Sequence, residues 1–178
     1  MTIENGRPAD ESGRLEKETA VYDLLEQLDI PFTRADHEPA FTMDACEEVA
    51  AALETKICKN LFLCNRQKTS FYLLLMPGDK PFHTKEITSQ LGCARLSFAK
   101  EEALEQLLHL TPGSATIFGL MYDTENQVQL VVDQELLRLF NRRAELSVEV
   151  GRIKATEPGI IFKPMREREV LDGLAAKN

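Results

Sequence analysis

Lys59-Asn60-Leu61-Phe62-Leu63-Cys64, the polar turn Asn65-Arg66-Gln67-Lys68-Thr69-Ser70, and Phe71-Tyr72-Leu73-Leu74-Leu75-Met76-Pro77 together decide the fold of this chain. Two apolar runs of strand length around a polar turn predict an antiparallel hairpin, with strands over Asn60–Cys64 and Phe71–Pro77. Lys59 and Asn60 stand at the mouth of the first strand. A cation and an amide on a rigid element suit a site that grips an anionic or carbonyl-bearing group.

Helices and further strands extend from this hairpin in both directions. Val21, Leu24, Leu25 and Leu28 recur at i, i+3, i+4 and i+7, which predicts an amphipathic helix with Thr19 as its N-terminal cap. Ile30–Thr33 reads as extended and 36–40 as a loop, and Thr42 precedes a second helix from Met43 to Leu53. Asp44 and Glu47 lie in its first turns, where the macrodipole favours anions. Beyond the hairpin, a helix over Thr84–Leu91 is closed by Gly92. Arg95–Phe98 alternates as a strand, and a helix over Lys100–Leu110 stops at the breaker Thr111-Pro112-Gly113-Ser114. Strands are expected over Ala115–Met121, Val128–Asp133 and Leu146–Arg152, with helices over Gln134–Phe140 and Met165–Ala176. Hairpin-like strand pairs with scattered helices imply an α+β fold: a mixed, mostly antiparallel central sheet with flanking helices. Residues 1–14 are polar and read as a flexible N-terminal tail, and residues 15–178 as a single domain.

Net charge is −8, but its distribution is uneven. From Lys56 to Lys100 eight basic residues meet only Asp79 and Glu86, a local charge of +6. A basic middle on an acidic body is what a protein needs to meet a polyanion over one limited face. No run of 18 apolar residues and no signal-peptide core occur, so the expected compartment is cytoplasmic, with no membrane partner. Cys46, Cys58, Cys64 and Cys93 form no CxxC pair and meet no histidine at zinc spacing, so no metal and no cofactor are expected. Cys58 next to Lys59 invites the expectation of a thiol pKa lowered by the cation. His37 lies in Asp36-His37-Glu38-Pro39, a loop in which a general base is conceivable. His109 closes an amphipathic helix as a surface or capping residue. Gly113 introduces small residues that let a ligand approach the backbone, and its amide could meet a carbonyl oxygen. No GxGxxG, P-loop, HExxH or GxSxG motif is present.

Four segments, in this order, resemble the bacterial prolyl-tRNA editing domain family. They are His37-Glu38-Pro39-Ala40 with Thr42, Lys59-Asn60-Leu61-Phe62-Leu63, Leu91-Gly92 with Arg95–Ala99, and Pro112-Gly113-Ser114 with Phe118-Gly119-Leu120. Leu130-Val131-Val132-Asp133 resembles the strand that follows in that family. The resemblance runs from about Thr19 to Asp133 and looks closest to the free-standing ProX-type deacylases among the YbaK-like domains. It implies hydrolysis of the ester of a mischarged aminoacyl-tRNA without a metal, with Ala-tRNA(Pro) or another small amino acid on that tRNA as substrate. Lys59 is then the essential catalytic cation, near the terminal adenosine. Asn60, Thr42, His37, Gly113, Ser114, Ile117 and Gly119 are the implied substrate-binding residues, and Lys56 and Arg95 the implied tRNA contacts. Implied partners are aminoacyl-tRNA and prolyl-tRNA synthetase, and not DNA.

Two positions depart from the family pattern. The Gly-x-x-x-Pro loop reads Gly113-Ser114-Ala115-Thr116-Ile117, with Ile117 at the proline position. The His-Pro pair of the ProX branch is absent, since no histidine follows His109; Asn141 and Ser147 are the nearest candidates. The alternative is therefore a non-catalytic tRNA- or amino-acid-binding protein of the same fold. A thiol enzyme using Cys58 is a third reading.

Overall fold

A computed structural model of the chain describes residues 1–38, 40 and 42–156. The expected helix over Met165–Ala176 lies outside them. Two compact units divide the chain, Met1–Leu136 and Leu137–Asn178. That division lies within residues 15–178, the stretch the sequence reading takes as one domain.

The first unit is built on a four-stranded mixed sheet. Strands β3 (Cys58–Asn65) and β4 (Phe71–Pro77) form the expected hairpin, with Lys59 opposite Met76 and Leu63 opposite Tyr72. β5 (Leu96–Phe98) joins the other side of β3 antiparallel, and β6 (Val128–Val132) runs parallel to β4. The order β5-β3-β4-β6 is the expected α+β arrangement. In the hairpin turn the Asn65 side chain accepts from Thr69 N–H at 2.9 Å, a side-chain-to-backbone bond of the kind that makes Asn a turn residue.

Both faces of this sheet are covered, because successive strand residues point to opposite sides. On one side Phe62, Leu73 and Val128 pack with Leu104 and Leu108 of helix α4 (Glu101–Leu108) and with Leu110. On the other, Leu63, Leu74, Met76 and Leu96 pack beside Ile87 and Leu91 of helix α3 (Thr84–Leu91). Gly92 ends α3 at φ 61°, the left-handed cap read from the sequence. His109 caps α4 in the same conformation, φ 54°, and stacks on Tyr122 with centroids 4.4 Å apart.

The remaining differences have local causes. Helix α1 spans Glu16–Gln27 and begins before Thr19, whose hydroxyl donates to Glu16 O. The N-terminal role falls to Leu15, whose backbone N–H is held by the Glu18 carboxylate at 2.9 Å. Ala115–Met121, expected as a strand, contains a 3-10 helix over Ile117–Tyr122, nucleated where the Thr116 hydroxyl accepts from Phe118 N–H. Leu146–Arg152, also expected as a strand, belongs to helix α5 (Gln134–Thr156). β-branched Val148 and Val150 invited the strand reading, but the helical run started by Asp133 simply continues through them.

The flexible tail expected over residues 1–14 is also corrected. Strand β1 (Thr2–Asn5) pairs antiparallel with β2 (Thr33–Asp36) in a separate two-stranded sheet. Three arginines hold this ribbon. Arg14 grips Asp36 through two bonds of 2.6 and 2.7 Å, Arg34 pairs with Glu4 and donates to Gly6 O at 2.8 Å, and Arg7 reaches Asp23 and Glu26 of α1 at 2.6 and 3.0 Å. The bidentate Arg14 contact draws the Asp36 carboxyl from 3.8 down to about 2. A carboxyl depressed in this way stabilises the fold above its unfolded value near 3.8 and loses that contribution as pH falls towards 2. Asp36→Asn should therefore lower the thermal midpoint at neutral pH. The gap from wild type should close between about pH 4 and 2, as followed by circular dichroism.

Candidate functional site

Alternation along β3 separates the two residues singled out at its mouth. Lys59 lies on the same side as Leu61 and Leu63, the α3 side, and Asn60 on the side of Phe62, the α4 side. Cys58 shares the Asn60 side rather than the Lys59 side. Burial raises its thiol pKa, the reverse of the lowering expected from a neighbouring cation, because adjacent strand residues do not face each other. That removes the basis for a thiolate nucleophile at Cys58.

The Lys59 ammonium is half-buried and donates to Lys80 O at 3.0 Å. An ammonium has three donors, so two remain for a ligand. Lys80 itself is fixed: its ammonium donates to Asp133 Oδ2 at 2.8 Å, while Asp133 Oδ1 accepts from Glu135 N–H at 2.9 Å at the start of α5. Burial would raise the Asp133 carboxyl, but the Lys80 and Glu135 hydrogen bonds outweigh it and hold it below the ordinary carboxylate value. The same contact raises the Lys80 ammonium. Gly78 lets the turn before Lys80 close: its N–H donates to Ile57 O at 3.0 Å, and a Cβ there would meet that oxygen at 2.6 Å.

Asn60 presents a different feature. Its Oδ1 is buried and has no hydrogen-bond partner among the described residues. An unmet buried acceptor costs about 1–3 kcal/mol, and such groups call for a specific explanation. Beside it the sheet is incomplete. β5 pairs only with Leu63–Asn65, and Ala99 N–H adds a bond to Phe62 O, so along Cys58–Leu61 no strand among the described residues continues the sheet on the β5 side.

The other expected site residues fall into two groups. Gly113 adopts φ 85° in the turn between α4 and the 3-10 helix, a conformation that favours glycine. Ser114 closes that turn, its hydroxyl donating to Thr111 O at 2.9 Å and accepting from Thr111 N–H at 3.1 Å. Ile117 is exposed at the start of the 3-10 helix. Both elements flanking this turn pack on the Asn60 side of the sheet. Gly119 is buried, and a Cβ on it would lie 2.6 Å from Leu110 Cδ1 and 3.0 Å from Leu108 Cβ, so its immediate role is packing. His37 and Thr42 make local contacts: His37 Nδ1 lies 2.6 Å from Glu38 O, and the Thr42 hydroxyl caps α2 (Met43–Ala52) through Ala45 N–H. Asp36 is taken by Arg14 and Arg34 rather than by His37.

The basic middle converges only in part. Lys85 and Arg95 line one open groove of about 860 Å3 beside α3, together with Phe82, His83, Thr88 and Ser89. Lys80 is committed to Asp133, Arg66 and Lys68 sit in the hairpin turn, and Lys56 is exposed just before β3. Sequence reasoning missed the Lys80–Asp133 pair and the groove. Lys80 and Asp133 are 53 residues apart, and only the parallel β4–β6 pairing joins them. Among the described residues no three His, Cys, Asp or Glu side chains cluster as a metal ion would require, and no helix is long and apolar enough to cross a membrane.

Comparison with known proteins adds independent findings. The model of the aminoacyl-tRNA editing domain family matches residues 37–143, and that of chorismate mutase type II matches residues 130–178. The prolyl-tRNA editing protein ProX of Acetoanaerobium sticklandii is 31% identical over 69% of this chain and 75% of its own length. Prolyl-tRNA synthetase associated domain-containing protein 1 of Danio rerio is 32% identical over 64% of this chain and 61% of its own. Among solved structures, that of hypothetical protein APE2540 superposes with a TM-score of 0.51, at 22% identity, over 69% of this chain and 77% of that one. That likeness concerns the fold alone.

Gly119→Ala should cost about 1–3 kcal/mol through overpacking against Leu108 and Leu110. The check is a denaturant melt. A variant as stable as wild type would show that the position has room to spare, and would return Gly119 to the list of candidate ligand contacts.

Proposed function

The chain belongs to the aminoacyl-tRNA editing domain family, and from that premise we propose that it is a deacylase that hydrolyses the ester of mischarged tRNA. The observation that carries this reading is the Lys59 ammonium: fixed on the central strand by Lys80 O, with donors to spare, beside an open stretch of sheet edge. A ligand inserted along Cys58–Leu61 meets Lys59 from one face and Asn60 from the other. The terminal nucleotide then lies on the Lys59 side and the aminoacyl group on the Asn60 side, towards the Gly113 turn. Asn60 Oδ1, unmet within the described residues, accepts from a substrate N–H or O–H.

Hydrolysis requires water to add to the ester carbonyl, and then the bond to the ribose oxygen to break as that oxygen takes up a proton. The substrate's neighbouring ribose hydroxyl orients the water, so no protein nucleophile is needed. An aminoacyl ester is already activated, and positioning with charge stabilisation by Lys59 is the chemistry it asks of a protein. The favoured substrate is tRNA for proline carrying alanine or another small amino acid, the direction in which the name of the A. sticklandii relative points. Ile117, where the family pattern has proline, bears on the choice of amino acid. Lys56 and Arg95 serve as tRNA contacts, and prolyl-tRNA synthetase, which supplies the mischarged product, is a natural partner in the cytoplasm.

Deacylation of labelled Ala-, Ser-, Cys- and Pro-tRNA(Pro) tests this directly. At least one mischarged species should turn over well above its spontaneous rate. Lys59→Ala should lower that rate by about 10²-fold or more, as removal of one stabilising donor does elsewhere. If every charged tRNA binds but none turns over, the chain is a binding protein of the same fold.

We infer a separate reading for the second unit from the chorismate mutase type II match over residues 130–178. Leu137, Leu139, Phe140, Val148 and Val150 of α5 are exposed, more apolar surface than a solitary helix ordinarily presents. A mutase-type unit would consume chorismate whether or not Lys59 is present. Incubation of wild type and Lys59→Ala with chorismate should give equal rates of loss, followed by absorbance. No loss with either protein would remove this reading and leave the first untouched.

A further inference from the structure

We propose that the groove beside α3, together with the exposed Phe98 ring that touches its Phe82 wall, is the track along which the unpaired 3′ strand of tRNA reaches Lys59. The proposal rests on the deacylase reading and specifies which surface holds the RNA. Three observations carry it.

The first is charge. The chain is net −8, yet none of the nine residues lining the groove is acidic, and Lys85, Arg95 and His83 are among them. Helical spacing explains the selection: Lys85, Thr88, Ser89 and Gly92 share one face of α3, and Glu86 points elsewhere. Cations and hydroxyls without a carboxylate suit a phosphate backbone.

The second is an exposed aromatic ring. Phe98 is 60% exposed although it sits in a strand, and its ring is tilted against Phe82 at a centroid distance of 5.5 Å. Leu96 and Phe98 share a face of β5, and Leu96 packs on the α3 side, so Phe98 and Lys59 lie on the same face of the sheet. An exposed ring braced by a second ring can serve as a stacking platform for a base.

The third is continuity. Phe82 follows Lys80, whose carbonyl holds the Lys59 ammonium, by two residues. At the other end, Arg95 precedes Leu96, the partner of Asn65, and so shares the end of the sheet from which Arg66 and Lys68 project. From Lys59 to Asn65 the strand spans about 20 Å, a length suited to a few unstacked nucleotides. The duplex then lies over the hairpin-turn cations, and the terminal ester arrives at the open edge beside Lys59.

Uncharged RNA separates this inference from catalysis. Fluorescence anisotropy would compare one hairpin RNA ending in an unpaired 3′ ACCA with the same hairpin ending blunt. Wild type should prefer the ACCA form by about tenfold. Phe98→Ala should remove most of that preference, and Lys85→Glu and Arg95→Glu should each lower the salt slope of binding by about 1. All three side chains are exposed, and melting curves confirm folding; Arg95→Gln and Lys85→Gln repeat the test with gentler changes. Equal affinity of wild type for the two RNAs, or variants that bind as wild type does, would overturn the groove while leaving deacylation intact. The predicted binding pattern in a protein that hydrolyses no mischarged tRNA would uphold the groove and overturn the deacylase.

Discussion

The two-residue alternation of β3 is the constraint on which the rest of this molecule depends. A central strand with neighbours on both faces must be apolar on both, and Leu61, Phe62, Leu63 and Cys64 meet that demand. The same geometry then acts on the polar pair that precedes them. Lys59 and Asn60, adjacent in sequence, are delivered to opposite sides of the sheet, each continuous with a different layer: α3 for the lysine, α4 and the 3-10 helix for the asparagine. On the proposed reading the pair serves a single site because β5 pairs only with Leu63–Asn65. Had β5 continued past Phe62, its backbone would have filled the edge at which both side chains can be reached.

Lys59 could not be held by the strand alone, since a lysine side chain has several free torsions and a strongly hydrated head. Its position follows from a relay of contacts. The turn at Gly78 brings Lys80 back across Ile57, Lys80 O takes one Lys59 donor, and the Lys80 ammonium is anchored on Asp133. Asp133 is in turn placed by its N–H bond to Leu75 O at the end of the parallel β4–β6 pairing. The one parallel pair in an otherwise antiparallel sheet thus fixes the cation. Asp133 is spent on this relay, and the groove beyond Phe82 has no acidic residue in its lining.

Much of this was legible in the sequence where the signals are local. The hairpin, the Gly92 cap and the helices α2, α3 and α4 follow from short-range pattern and turn chemistry. Lys59 and Asn60 stood out because a charged, amide-bearing strand mouth is unusual beside so apolar a run. What was illegible depends on partners far apart in the chain. The N-terminal ribbon reads as a tail because its polar residues mean nothing until Arg14 and Arg34 meet Asp36 and Glu4. Cys58 looked activated because sequence adjacency resembles proximity, whereas a strand turns neighbours away from each other. The 3-10 helix at Ile117–Tyr122 displaced an expected strand because Gly119 must pass closely over Leu108 and Leu110, a packing demand that pattern alone does not carry.

The division of labour across the sheet also bears on how specificity can arise. If amino acid and RNA are read on opposite faces, each can change without disturbing the other. Ile117 and the Gly113 turn can be remodelled for a different aminoacyl group while Lys85, Arg95 and Phe98 keep the same hold on the 3′ strand. A pocket that tests one or two methylenes gains only about 1–3 kcal/mol of discrimination, so exclusion of a larger ring by shape is the stronger device. Shape is what the Asn60 face can supply, built as it is from Leu108, Leu110 and a turn whose conformation Gly113 fixes. An RNA face of the kind proposed would need no such discrimination: phosphates and a stacked base are common to every tRNA end, and its contribution would be to hold the ester where Lys59 can act. On the proposed reading, selectivity and grip meet at Cys58–Leu61, where the edge left by the short β5 joins the two faces.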